Sequence, residues 1–361
     1  MSSKNGSIFI TGANGGLGSA MISAIVSNPD FASSYHGIYT VRQLDRASNL
    51  TSVLENAPKK RHSYETLALD LARIASVRDV AHDINTRVAS GELPPIRALI
   101  LNAAYQEHTT QGFTPDGFDM SFQCNYLSHW LLVLMLLQSM DKEHGRIVVI
   151  GSWSHDSAEC SLKTDSGASP FDPRNNSMRA YVKPQWKTIF HDADSLAKGT
   201  WSSAKDYPIS EGGYRRYGAG KLCEIMMMYE LQRRLDADPA LSRVVVLGVD
   251  PGGMASGLTR RGSTLLVFAV QYLFPLVTGI TTRLWPNGTL RSIKKSAGDV
   301  LRAAFDTEEL GEQPKAVYMN GSERGDTSIE SKDAVKCQQL WRASIKYVAL
   351  GPEDTILFDW K

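Results

Sequence analysis

Short apolar runs alternate along this chain with longer stretches in which apolar residues recur every three or four positions. The runs predict strands at Ser7–Thr11, His36–Arg42, Ser63–Leu69, Ala98–Asn102, Arg146–Ser152 and Val244–Val249, with a seventh near Ala316–Asn320. ALILN, RIVVIGS and VVVLGV are almost unbroken in apolar character, as strands buried on both faces of a parallel sheet are. The helical period predicts helices at Leu17–Ser27, Ile74–Ala89, Phe118–Ser139, Gly218–Arg234 and Ser331–Leu350. Strands alternating with helices give an α/β class: a doubly wound, Rossmann-type parallel sheet in one domain over residues 1–361.

Two stretches break the rhythm. Residues 153–216 form a long, polar, turn-rich insertion (SGASPFDPRNNS) with an aromatic cluster, Trp186, Phe190 and Trp201. These rings either line an apolar pocket or anchor the loop. Residues 255–295 are irregular and are expected to act as a lid over the substrate. They carry the apolar segment Thr264–Ile280, interrupted by Gln271 and Pro275 and shorter than the roughly 20 residues needed to span a bilayer. A buried or lid-like helix pair is expected there, with peripheral membrane contact as the alternative and no transmembrane segment.

Composition narrows the classes. With 42% apolar and 21% charged residues and a net charge of +1, the 361-residue chain is neither disordered, coiled-coil nor collagenous, and it lacks the basic excess of a nucleic-acid binder. Cys124, Cys160, Cys223 and Cys337 are scattered, which suggests neither a disulfide framework nor a thiolate zinc site. The histidines lack ligand spacing, so no metal is expected. The first residues have no charged-then-apolar leader pattern, and the expected compartment is the cytoplasm.

TGANGGLG, Thr11 to Gly18, stands between the first strand and the first helix. Glycines there permit a tight turn and bring backbone N–H groups at a helix N-terminus up to a pyrophosphate. Gly12, Asn14, Gly16, Leu17 and Gly18 are thus candidate cofactor residues. An acidic side chain after the second strand would hold a ribose 2′-hydroxyl; here Arg42 stands in that place, which argues for NADP(H). Of the 13 tyrosines only Tyr217 has a lysine four positions on, Lys221. Residues four apart share a helix face, and a nearby ammonium favours phenolate, making the phenol an apt acid or base toward a carbonyl or alcohol.

The order TGANGGLG, Asp70-Leu71, LNAA, Asn125, a serine after the fifth strand, YxxxK and a Pro-Gly turn resembles the short-chain dehydrogenase/reductases over about residues 7–320. FDMSFQCNYLSHWLLVLML and the C-terminal stretch are similar to the branch that contains retinol dehydrogenases, protochlorophyllide reductases and related fungal enzymes, which points to secondary metabolism as a setting. The resemblance implies Tyr217 as general acid/base, Lys221 as ribose ligand and tyrosine activator, and Ser152 as partner of the substrate oxygen. It implies that Asn125 holds a water linking Lys221 to solvent. Asp70 and Leu71 would border the adenine, Asn102 and Ala103 would lie along the cofactor, and Pro251, Gly252, Met254 and Ser256 would meet its nicotinamide end. Ala104 replaces the last glycine of the family's NNAG, and Ser256 stands where threonine is frequent.

The activity expected is hydride transfer between NADP(H) and a carbonyl or secondary alcohol of a bulky hydrophobic substrate (polyketide, terpenoid, sterol or retinoid-like), in a monomer or homodimer. An isomerase, epimerase or cyclase using only the proton chemistry, and a non-catalytic NADPH-binding scaffold, are the alternatives. Ser152 with His155 lacks the GxSxG elbow of a hydrolase. His129, on an apolar helix, reads as a packed structural residue, and Met226, Met227 and Met228 as core or subunit-seam residues.

Overall fold

The computed structural model describes residues 4–57, 62–157, 179–254, 258 and 274–361. Ser256, Cys160 and residues 264–273 of the apolar segment lie outside the described residues, as does much of the expected insertion, 158–178.

Eight strands form one sheet in the order β3-β2-β1-β4-β5-β6-β7-β8. They are β1 (Gly6–Ile10), β2 (Tyr35–Val41), β3 (Ser63–Ala68), β4 (Ile96–Leu101), β5 (Arg146–Ile150), β6 (Val245–Asp250), β7 (Tyr318–Asn320) and β8 (Glu323–Arg324). The first seven are parallel, as expected; β8 adds an antiparallel edge of two residues, too short for a periodic signal. β4, β5 and β6 are buried at every position, which is why they read as continuous apolar runs.

Helices cover both faces. Those introduced here are α1 (Gly16–Ser27), α2 (Pro29–Ser34), α3 (Ser48–Glu55), α4 (Ile74–Ala89), α5 (Met120–Ser139), α6 (Ala193–Ala197), α7 (Ser210–Ala237), α8 (Phe274–Leu284), α9 (Ile293–Phe305) and α10 (Ala334–Val348). On one face Ile84 of α4, Trp130 of α5, Met226 of α7 and Trp341 of α10 share a core; on the other, Met21 and Ile22 of α1 pack with Val300 and Ala304 of α9. Among the described residues α5 is the one helix long and apolar enough to cross a membrane, and it is buried as the centre of the first core. Met226, Met227 and Met228 also lie in that core.

Three sequence expectations change. α7 starts at Ser210, not Gly218, so the end of the expected insertion is helix and Tyr217 sits in its third turn rather than before its start. α9, absent from the expectation, runs out of the lid region; Ser292 caps it by accepting from the Lys295 N–H at 3.3 Å. The aromatic cluster of the insertion divides: Trp186 and Phe190 are buried anchors, with the Arg215 guanidinium 4.0 Å from the Trp186 ring centroid, while Trp201 is half-buried and lines a small cavity with Asp119, Leu196 and Arg216. The Glu330 carboxylate fastens this segment by accepting from the N–H groups of Ile189 and Phe190, each at 2.9 Å.

Candidate active site

The strand order reverses between β1 and β4, and in open α/β sheets a crevice opens beyond the strand C-termini at that point. The chain from Thr11 to Gly18 leaves β1 there. Gly12 takes φ +66°, and a Cβ on it would fall 2.8 Å from the Ala103 Cα, so only glycine allows the turn to press on the segment after β4. A Cβ on Gly18 would lie 2.5 Å from the Gly12 carbonyl oxygen. α1 begins right after Gly15 with no side-chain cap and no acidic residue in its first turn, leaving its N–H groups open to an anion. This cradle fits a nucleotide pyrophosphate.

Thr11 holds the cradle together. Its Oγ1 accepts from the N–H groups of Asn102 and Ala103, each at 2.9 Å, while the Asn102 Nδ2 donates to the carbonyls of Thr11 (2.8 Å) and Gly12 (3.2 Å). Asn102, expected along the cofactor, thus spends its side chain on the turn itself. Asn14 likewise turns outward: it accepts from the Leu50 N–H at 3.0 Å and donates to the Arg46 carbonyl at 3.0 Å, fixing the loop after β2. Arg42, in that loop, is exposed. Asp70 closes a turn by accepting from the Ala72 N–H at 3.1 Å; Leu71 beside it is buried. Gly16 and Leu17 form the first turn of α1.

On the other side of the crevice, the turn after β6 carries Pro251, Gly252 (φ +73°) and Met254. The Arg291 Nη1 donates to the Asp250 carbonyl at 2.8 Å, and the Ser296 hydroxyl to the Pro251 carbonyl at 2.6 Å, pinning the turn to the start of α9.

Tyr217, Lys221 and Ser152 converge between these two turns. Lys221 is one turn beyond Tyr217 on α7, its Nζ 5.8 Å from the Tyr217 ring centroid. That Nζ donates to the Ile150 carbonyl at 2.8 Å and to Glu224 Oε2 at 2.6 Å. Ser152 caps the short turn Trp153–His155, its Oγ accepting from the Ser154 hydroxyl at 3.0 Å. The sequence reading expected Lys221 to pull the Tyr217 phenol down. In the structure burial pushes the phenol up, the Glu224 and Asp250 carboxylates push it further, and the Ser152 hydroxyl pulls it back.

Asn125 lies in a π turn, Gln123–Leu127, within α5. Its side chain brackets the Tyr105 peptide, accepting from the N–H at 2.7 Å and donating to the carbonyl at 3.0 Å. Its own carbonyl faces His129 Nδ1 at 3.1 Å. So Asn125 stands beside the site, and what it holds by its side chain is the loop after β4. His129 is fully buried, as expected, yet it also meets Glu224. His155 serves backbone rather than a nucleophile, bonding the Ser152 carbonyl (2.5 Å) and accepting from the Ser328 N–H (3.1 Å). No group of side chains able to hold a metal occurs among the described residues.

The sequence reading missed Glu224, Trp153, Tyr214 and Arg291. Glu224 had a signal: a lone carboxylate in the apolar run KLCEIMMM, on the face that carries Lys221. Trp153 Nε1 donates to the Tyr214 hydroxyl at 3.0 Å, and the Tyr214 and Tyr217 ring centroids lie 6.4 Å apart, making an aromatic wall beside Tyr217.

Residues 7–159 match the short chain dehydrogenase family. The chain is 49% identical over 363 residues to the short-chain dehydrogenase iccH of Talaromyces variabilis, covering 99% of this chain and 100% of that one. It is 26% identical over 365 residues to protochlorophyllide reductase B, chloroplastic, of Oryza sativa subsp. japonica, covering 97% and 79%. The fold is similar to that of angucycline C-6 ketoreductase LanV with bound NADP (TM-score 0.54, 16% identity, 88% of this chain and 96% of that chain). It is similar too to the NADPH-bound carbonyl reductase from chicken fatty liver (TM-score 0.54, 13% identity, 90% and 100%).

Proposed function

This chain belongs to the short-chain dehydrogenase/reductase family of nicotinamide-dependent oxidoreductases, and from that premise we propose that it is an NADPH-dependent reductase of bulky, apolar ketones. The observation that carries the reading is the convergence of Tyr217, Ser152 and Lys221 between the glycine cradle and the Pro251–Gly252 turn. When bound, the nicotinamide supplies the hydride. Ser152 and Tyr217 both present hydroxyls to a substrate oxygen, and the phenol gives up its proton as that oxygen becomes an alcohol. A phenol held protonated by burial suits the acid role in reduction. Lys221 has two donors committed and a third N–H free for a ribose hydroxyl.

Trp153 and Tyr214 support an apolar, ring-bearing substrate. Trp153 reaches from Tyr214 to the turn after β6, where a Cβ on Gly253 would stand 3.2 Å from its Cη2. Arg42 supports NADPH over NADH: it is exposed after β2, where a 2′-phosphate needs a cation.

Calorimetric titration with NADPH and NADH in parallel tests the cofactor, followed by screening aromatic and alicyclic ketones for NADPH loss. NADPH should bind far more tightly, and Arg42→Asp should weaken it by about 10- to 100-fold while changing NADH little, a charge-assisted contact being worth ~1.5–3 kcal/mol. Equal losses for both would remove Arg42 from the 2′-phosphate. Absence of binding by either nucleotide would sink the reading, and product formed without NADPH consumption would make the protein an isomerase or cyclase.

A further inference from the structure

The catalytic lysine is not alone in the core. Glu224, one turn further along α7, is fully buried, and both its oxygens are engaged: Oε2 accepts from Lys221 Nζ at 2.6 Å, and Oε1 faces His129 Nδ1 at 3.3 Å. His129 Nδ1 also faces the Asn125 carbonyl, so both neighbours of that nitrogen are acceptors and it carries the proton. Nε2 is then the acceptor, taking the Thr11 hydroxyl at 3.0 Å. Thr11 in turn receives the N–H groups of Asn102 and Ala103. An unbroken buried chain therefore runs from Lys221 through Glu224, His129 and Thr11 to the glycine turn.

We propose that Glu224 is a positioning residue of this site: its carboxylate holds the Lys221 ammonium against the Ile150 carbonyl and, through His129 and Thr11, couples that hold to the turn that cradles the cofactor. The assignment rests on the oxidoreductase reading above for the role of Lys221. A buried ion pair is a poor stabiliser compared with apolar residues of the same volume, so packing alone gives no reason for a carboxylate here. Its location gives one. The pair and the histidine join the element that moves the proton to the element that seats the dinucleotide, with both Glu224 oxygens and both His129 nitrogens engaged. The charge of Glu224 also disfavours the Tyr217 phenolate and keeps that residue an acid. The other groups facing Tyr217 are Asp250 at the end of β6, which acts in the same sense, Ser152 after β5, which opposes it, and Lys221.

The test needs no substrate, and its failure is distinguishable from that of the reductase reading: a wild type that does not bind NADPH fails the reading, whereas the proposal is decided by comparing variants that bind it. NADPH Kd is measured by calorimetry across a double-mutant cycle of Glu224→Gln and Lys221→Met. Glu224→Gln keeps the shape and removes the charge; it should raise the Kd several-fold in the wild-type background and leave it nearly unchanged where Lys221 is already methionine. Equal fold-changes in both backgrounds, or no change in either, would overturn the proposal. Glu224→Asp keeps the charge but draws it back from Lys221, and it too should raise the Kd several-fold in the wild-type background alone. If Glu224→Gln does not fold, this variant decides: an unchanged Kd, or the same rise in the Lys221→Met background, would overturn the assignment.

Discussion

At the scale of single residues, the surroundings of Tyr217 differ from what YxxxK suggests. The i, i+4 spacing places Lys221 beside the phenol, as the sequence indicates. The same helix turn brings in Glu224, and the ammonium is already matched by that carboxylate before it can favour a phenolate. Burial and that carboxylate hold the Tyr217 phenol above its ordinary value, which supports the proposed role of proton donor. Tyr217→Phe should lower turnover by about 10²- to 10⁴-fold, the usual worth of a general acid, with NADPH affinity held within a few-fold. Steady-state kinetics beside calorimetry checks both halves; full retained activity would remove Tyr217 from the proton step.

Among the elements, α7 decides the geometry because it must pass close to its neighbours. Gly218 and Gly220 face them directly: a Cβ on Gly220 would stand 2.9 Å from the Ser121 carbonyl oxygen, and one on Gly218 would strike the Tyr181 hydroxyl and lie 2.5 Å from the Ser154 carbonyl oxygen. Glycine inside a helix costs ~1 kcal/mol relative to alanine, so propensity alone predicts that Gly218→Ala stabilises. Overpacking against a backbone carbonyl costs about 1–3 kcal/mol and wins. Gly218→Ala should lower the melting temperature and, by pushing α7 off the Ser154 turn, reduce turnover more than NADPH binding. A raised melting temperature would show that the Tyr181 side yields freely. The start of α7 escaped the sequence reading because its first turns, SEGGYRR, carry two glycines and little apolar period. α9 was missed because IKKSAGDVLRAAF also carries a glycine and follows directly on an irregular stretch.

For the molecule as a whole, buried titratable groups set the pH range of stability. Burial lowers His62 to about 4 and lowers His36 and His108 as well. Unfolded histidines take up protons below about pH 6.5 while the folded ones do not, so stability falls as the pH drops from there toward 4. On the alkaline side burial raises Cys223, and Cys337 to about 12, together with the phenols of Tyr39, Tyr126, Tyr217 and Tyr347. The unfolded chain releases the thiol protons from about pH 8.5 and the phenol protons from about pH 10, so stability falls as pH rises through these values. Lys142, lowered to about 8, opposes the thiols between roughly pH 8 and 10.4, and the fall steepens only once the phenols join. Thermal unfolding should therefore show a broad maximum between about pH 6.5 and 8.5 and a steep loss above about pH 10. A melting temperature still rising above pH 10 would contradict the burial of these phenols.

The apolar runs, the glycine turn and the Tyr217–Lys221 spacing determined the fold class, the strand positions and the place of the cradle, because these are set by period and by backbone sterics within a few residues. The pairing of Lys221 with Glu224, the reach of His129 to Thr11 and the capture of Asn125 by Tyr105 join residues from different elements. So does the wall that Trp153 makes with Tyr214. No local pattern encodes such meetings. Which buried charge finds which partner depends on how helices and strands dock, and that was decided only when α5 and α7 packed together on the sheet.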